Sequence, residues 1–139
     1  MIWMSVTTLL PIIIAEEPWS RQLVLFCIHR FFLIYAICIL FDYRDRADDK
    51  AAGVRSLITY LDERGILLLF VFSLCVFAAS AIALSGYLPA WIIGVLLLPG
   101  IITGLLYNYA RKNFSDLFYY GILDGLMALS SLITLIALV

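Results

Sequence analysis

Residues 65–86 and 88–107 contain no charged side chain, and no other feature of the sequence constrains the fold as tightly. An apolar run of this length reads as a helix that crosses a bilayer, because only a helix satisfies its own backbone groups within one segment surrounded by lipid. Marking the remaining charged and turn-forming residues gives five apolar blocks, at 1–15, 19–41, 65–86, 88–107 and 117–139. The expected fold class is all-α, a multi-pass transmembrane bundle of about five helices forming a single membrane domain over 1–139. Composition supports this, since 65% of the 139 residues are apolar and only 14% are charged. A soluble domain of this size exposes too much surface to hide so many apolar residues. The formal net charge of −1 offers no basic face, so nucleic acid is not an expected partner, whereas membrane lipid is.

The first block is short for a crossing, contains Pro11 and is closed by Glu16-Glu17-Pro18, as though the chain entered partway along a longer helix. It has no positively charged leader, so cleavage of a secretory signal is not expected. The link Ser85-Gly86-Tyr87-Leu88-Pro89 is a tight turn with a proline suited to a helix start, which makes blocks three and four an antiparallel hairpin. Cys27, Cys38 and Cys75 each sit singly in apolar runs without a CxxC pair, and read as small hydrophobes. Basic residues fix the expected orientation, because short loops rich in Lys and Arg stay cytoplasmic. Segment 42–64 holds Arg44, Arg46, Lys50, Arg55 and Arg64, and Arg111 and Lys112 precede the last block. Both segments are predicted cytoplasmic, with 42–64 an acidic loop and the carboxyl terminus outside. The implied location is an integral membrane one, the cytoplasmic membrane if the source is bacterial.

Eleven of the nineteen charged residues fall between positions 42 and 64. If the second block continues as a helix, 100° per residue brings Asp45 and Asp49 within about 60° of Asp42, with Asp48 turned away. Three carboxylates would face one spot, an oxygen-ligand set suited to Mg²⁺ shared with a substrate phosphate. Gly53, on the same stripe, would let a phosphate or a neighbouring backbone approach. Cys38, Tyr35 and Phe31 lie beneath Asp42, so the acidic mouth opens onto an aromatic and apolar wall fit for a diphosphate with a greasy tail. The same residues also read as a solvated run of alternating Asp and Arg above ordinary helix packing.

The stretch Asp42-Tyr-Arg-Asp45-Arg-Ala-Asp-Asp49-Lys-Ala-Ala-Gly53-Val-Arg-Ser56-Leu57 resembles the second aspartate-rich motif of the UbiA superfamily of intramembrane prenyltransferases. The resemblance implies a nine-helix bundle of two related halves, of which this chain matches the carboxyl-terminal one. It also implies Mg²⁺ held by both acidic motifs, a polyprenyl diphosphate as isoprenoid donor and a hydrophobic acceptor, aromatic or lipid, that takes the prenyl group. Asp45 and Asp49 would be the metal ligands and Asp42 an accessory one. Lys50 or Arg55 would steady the diphosphate, with Arg111 and Lys112 as further contacts. No first acidic motif is present, so a separate amino-terminal half is an expected partner, and the chain alone is expected to be inactive. The alternative is a non-catalytic truncated or accessory membrane bundle whose acidic segment is solvated or packs on a partner. CDP-alcohol phosphotransferases also carry helical aspartates, but their DGxxAR element is missing before this motif.

Two ionisable residues lie inside the apolar blocks, Arg30 about 18 Å before Asp42 along a helix and Asp124 about 10 Å into the last block. Charges at such depth usually face a cavity or a partner, so an Arg30–Asp124 pair is expected, with Asp124 facing the cavity as the other possibility. His29 has no companion at metal spacing and reads as a packing or hydrogen-bonding residue. Tyr107-Asn108-Tyr109 before Arg111 fits an interfacial aromatic belt.

Overall fold

A computed structural model describes residues 18–138 together with Val6, Ile13 and Ile14, and for 131 and 133–138 the backbone alone. The first apolar block and Glu16-Glu17 thus fall outside the described residues, apart from those three positions. The elements are α1 (Arg21–Ala51), α2 (Leu57–Tyr60), α3 (Glu63–Ala83), α4 (Ala90–Ala110) and α5 (Asp124–Leu138). A 3-10 turn at Leu84–Gly86 follows α3, and a π-helical turn at Leu117–Leu123 leads into α5. Every element among the described residues is helical, so the bundle is all-α as expected. Among the described residues three segments are long and apolar enough to cross a membrane: Arg21–Ala51, Glu63–Gly86 and Ala90–Ala110.

Helix α1 begins where the Ser20 hydroxyl accepts the Leu23 N–H at 3.2 Å, and then runs 31 residues. At 1.5 Å per residue that is about 46 Å, well beyond a hydrocarbon core of about 30 Å. The acidic segment is therefore not a loop from position 42: Asp42–Ala51 is a rigid extension of the apolar helix, and the chain turns at 52–56 and again at 61–62. The stop is set by Gly53, whose φ of 71° is left-handed. There Gly53 N–H donates to the Lys50 carbonyl at 3.3 Å and Val54 N–H to the Asp49 carbonyl at 2.8 Å, the paired bonds of a Schellman cap. A Cβ at Gly53 would meet nothing within 4 Å, so no neighbouring backbone approaches it and its glycine is required by the left-handed helix end. Ser56 and Thr59 then cap α2 reciprocally, and the Asp62 carboxylate caps α3 through Gly65 N–H at 2.8 Å.

The core is built mainly by α1 against α3, with Leu33, Ile37 and Leu40 facing Ile66, Phe70 and Phe77. The Phe77 ring joins three helices. It stacks on His29 of α1 with centroids 4.2 Å apart, and a Cβ at Gly100 of α4 would fall 2.1 Å from its nearest ring carbon. His29 is fully buried with Nδ1 3.2 Å from the Phe77 carbonyl, which also accepts the Ser80 hydroxyl at 2.8 Å. That is the packing and hydrogen-bonding role the sequence suggested for it. Pro99 interrupts the backbone ladder inside α4, and the Thr103 hydroxyl donates to its carbonyl at 2.8 Å. Tyr119, in the π turn, is fully buried and donates its hydroxyl to the Ala110 carbonyl at 2.8 Å, fastening the end of α4 to the start of the last helix.

The expected Arg30–Asp124 ion pair is not among the ion pairs of the described residues. Arg30 is buried, Asp124 is exposed, and Asp124 lies close enough to Cys38 to act on it electrostatically. Cys38 is eight residues from Arg30, about 12 Å along α1. Depth along the helices alone therefore does not bring the two together, because Asp124 faces outward where Arg30 faces the core.

Candidate functional site

Because α1 is unbroken through position 51, Asp42, Asp45 and Asp49 do share one side of a rigid helix. The Asp42 carboxyl is held above the ordinary carboxylate range, first by partial burial and then by the like charges of Asp49 and Asp45. Its charge also reaches Tyr35 and Cys38, which places it above the stripe expected to form the wall. Phe31 and Tyr35 stack along that stripe with centroids 5.9 Å apart, both half-buried.

The three carboxylates do not converge on one point. Among the described residues no three His, Cys, Asp or Glu side chains form a metal-holding group. Helix geometry accounts for this: seven residues separate Asp42 from Asp49 by about 10 Å along the axis, against Mg–O bonds of about 2.1 Å. Asp45 is moreover engaged by Arg44, at 2.7 Å to Nε and 3.3 Å to Nη2. Asp42 and Asp49 have no ion pair among the described residues. One helix can thus offer an adjacent pair of carboxylates per cation, and the other ligands must come from a substrate or another segment.

Two networks close this end of the bundle, and the sequence did not single out their centres. Arg44 reaches Tyr120 Oη at 3.1 Å and Asp116 at 3.5 Å, and its guanidinium lies over the rings of Phe41, Tyr119 and Tyr120 at 5.6, 4.9 and 5.1 Å. Those hydrogen bonds to Asp45 and Tyr120 hold Arg44 more firmly charged than usual. Glu63, in the first turn of α3, accepts from Arg46 at 2.8 Å, from Tyr43 at 3.2 Å and from Arg111. Arg111 also lies over Tyr43 and Tyr107, at 5.2 and 5.4 Å. Aromatic residues flanking arginines near block ends were the only sequence signal for these contacts, and they name no partners.

The residues expected at a diphosphate are accordingly dispersed. Arg111 belongs to the Glu63 network, Lys112 is exposed past the end of α4, and Arg55 is exposed in the turn after α1. Lys50 lines a cleft of about 690 Å³ formed by α1 from Tyr43 to Lys50 together with Phe114 and Asp116. Neither Asp42 nor Asp49 lines that cleft, whereas Asp48, the aspartate turned away from the stripe, does. No protein-family model matches this chain, and neither a curated protein nor a solved structure matches it.

Proposed function

We propose that this chain is the carboxyl-terminal half of a UbiA-type intramembrane prenyltransferase, a multi-pass membrane protein with its charged end cytoplasmic. In this reading neighbouring carboxylates among Asp42, Asp45 and Asp49, two to an ion, take Mg²⁺ together with the oxygens of a polyprenyl diphosphate. One observation carries it: two aspartates with no ion pair among the described residues, one with a raised carboxyl, stand on a rigid helix directly above an aromatic stripe. A divalent cation is what relieves such repulsion, and two carboxylates plus phosphate oxygens are the coordination Mg²⁺ accepts. The metal would neutralise charge developing on the departing diphosphate. The protein's own part is to fix the carboxylates through the unbroken α1, and to line the path of the tail with Phe31, Tyr35 and Cys38, excluding water from the reacting carbon. A second acidic motif on a separate amino-terminal half completes the site, and a hydrophobic acceptor enters from the membrane.

A non-catalytic accessory bundle is the competing reading, favoured by the way the chain pairs its own charges, Arg44 with Asp45 and both Arg46 and Arg111 with Glu63. Binding of a prenyl thiodiphosphate to the chain in lipid nanodiscs separates the two. Under the prenyltransferase reading, binding requires Mg²⁺ and weakens about tenfold or more in Asp49→Asn, the loss expected when a charged ligand contact is removed. Binding that is equal in EDTA, or equal in the variant, would sink the proposal.

A further inference from the structure

The cleft beside α1 shares Asp45 with the aspartate stripe, and its other charged groups are ones that the stripe does not use. Two of its cations are already satisfied, Arg44 by Asp45 and Tyr120, and Arg46 by Glu63 and the Leu61 carbonyl. Lys50 and Asp48 are exposed and have no ion pair among the described residues. Asp116 touches Arg44 only at 3.5 Å, and its side chain is 85% exposed. The charges left open to a ligand are therefore of both signs, one ammonium against two carboxylates. A diphosphate is repelled by that balance, and an uncharged ligand leaves it unmatched.

Depth supplies the second constraint. The apolar sequence of α1 ends at Phe41 and the cleft begins at Tyr43, while Phe114, exposed and apolar, forms part of its wall. In a membrane-crossing α1 this is the headgroup level, where aromatic rings and long polar side chains meet lipid. We infer that the cleft is a headgroup site for a phosphatidylethanolamine-type phospholipid, its phosphate meeting Lys50 and its primary ammonium meeting Asp48 and Asp116. A primary ammonium offers three N–H donors to those carboxylates, and a quaternary choline offers none. Free phosphoethanolamine has the same polar chemistry, but only the lipid also covers Phe114 from the membrane side.

Native mass spectrometry of the full chain in detergent, titrated with dioctanoyl phosphatidylethanolamine, phosphatidylcholine, phosphatidylglycerol or O-phosphoethanolamine, tests this. The ethanolamine lipid is expected to bind at least about tenfold more tightly than the other three, and to lose about tenfold in Asp48→Asn and in Lys50→Gln, the scale of one lost charged contact. Both substitutions are at exposed positions and leave the core packing alone. Equal affinity for the three lipids overturns the inference, as does binding that both variants leave unchanged. O-phosphoethanolamine binding as tightly as the lipid overturns the lipid source. Asp45 borders both sites and is left unchanged in the two variants, and none of these readouts depends on Mg²⁺, Asp42 or Asp49, so the prenyl diphosphate reading stands or falls separately.

Discussion

Adding one methyl group at Gly100 tests whether the contact of three helices at Phe77 holds the bundle together. A Cβ there falls 2.1 Å from the ring, while carbon atoms rest at about 3.5–4.0 Å, so the ring must retreat by roughly 1.5 Å. It has little room, being 2% exposed and stacked on His29 at 4.2 Å. Losing that stacking costs about 0.5–1.5 kcal/mol, and an off-rotamer ring costs a similar amount. Replacing glycine by alanine within a helix returns up to about 1 kcal/mol. The expected net loss for Gly100→Ala is about 1 kcal/mol, at the lower end of overpacking in tight cores. Unfolding followed by circular dichroism in mixed micelles, with rising SDS in a mild detergent, measures it. Phe77→Leu removes the ring edge, and on that background Gly100→Ala should be neutral or stabilising, giving a coupling of at least about 1 kcal/mol. Additive effects of the two substitutions, or a single variant as stable as the parent, would refute the claim that α4 is positioned by this contact.

Two further outcomes follow from the charged end and from the start of the last helix. Asp42 has a raised carboxyl in the folded chain, so the folded state holds its proton more tightly than the unfolded state does. The resulting stability penalty is absent below the ordinary carboxylate value, appears as pH rises through the raised one, and is fully present at neutrality. Asp42→Asn should thus be more stable than the parent at pH 7, with the advantage vanishing on acidification below pH 4. A constant advantage across that range would contradict it, as read from detergent unfolding midpoints at successive pH values. Tyr119→Phe deletes the buried hydroxyl that donates to the Ala110 carbonyl, and should cost about 1–2 kcal/mol in the same unfolding assay, with retained helix content.

Much of the architecture was legible because the physics that sets it is local. Uncharged stretches, the Ser85-Gly86 turn and the aspartate spacing each act within a few residues of themselves, and α3, α4 and the shared side of α1 appear where they indicated. The same spacing argument needed a helix through position 51, and the length of α1 supplies one where the charges alone suggested a loop. What stayed hidden depends on where distant segments meet. Glu63 gathers Tyr43, Arg46 and Arg111 from positions up to 48 residues away, and nothing in the charge pattern pairs them. Gly100 looks like any glycine in a membrane helix until the Phe77 ring is placed against it. The Arg30–Asp124 pairing failed for a third reason, since counting residues gives a depth but not which way each side chain faces, and Arg30 is buried where Asp124 is exposed.

That π-wound turn at Leu117–Leu123 has a meaning for how such a chain can change in length. A five-residue backbone loop holds one residue more than the α-turn it replaces, so the segment stores a residue of slack just ahead of α5. Deleting one residue there lets the turn tighten to ordinary α-winding while the helix beyond keeps its facing, whereas the same deletion within α4 would rotate all that follows by about 100°. The bundle can thus lose a residue at this joint without re-sorting which side chains meet lipid and which meet protein.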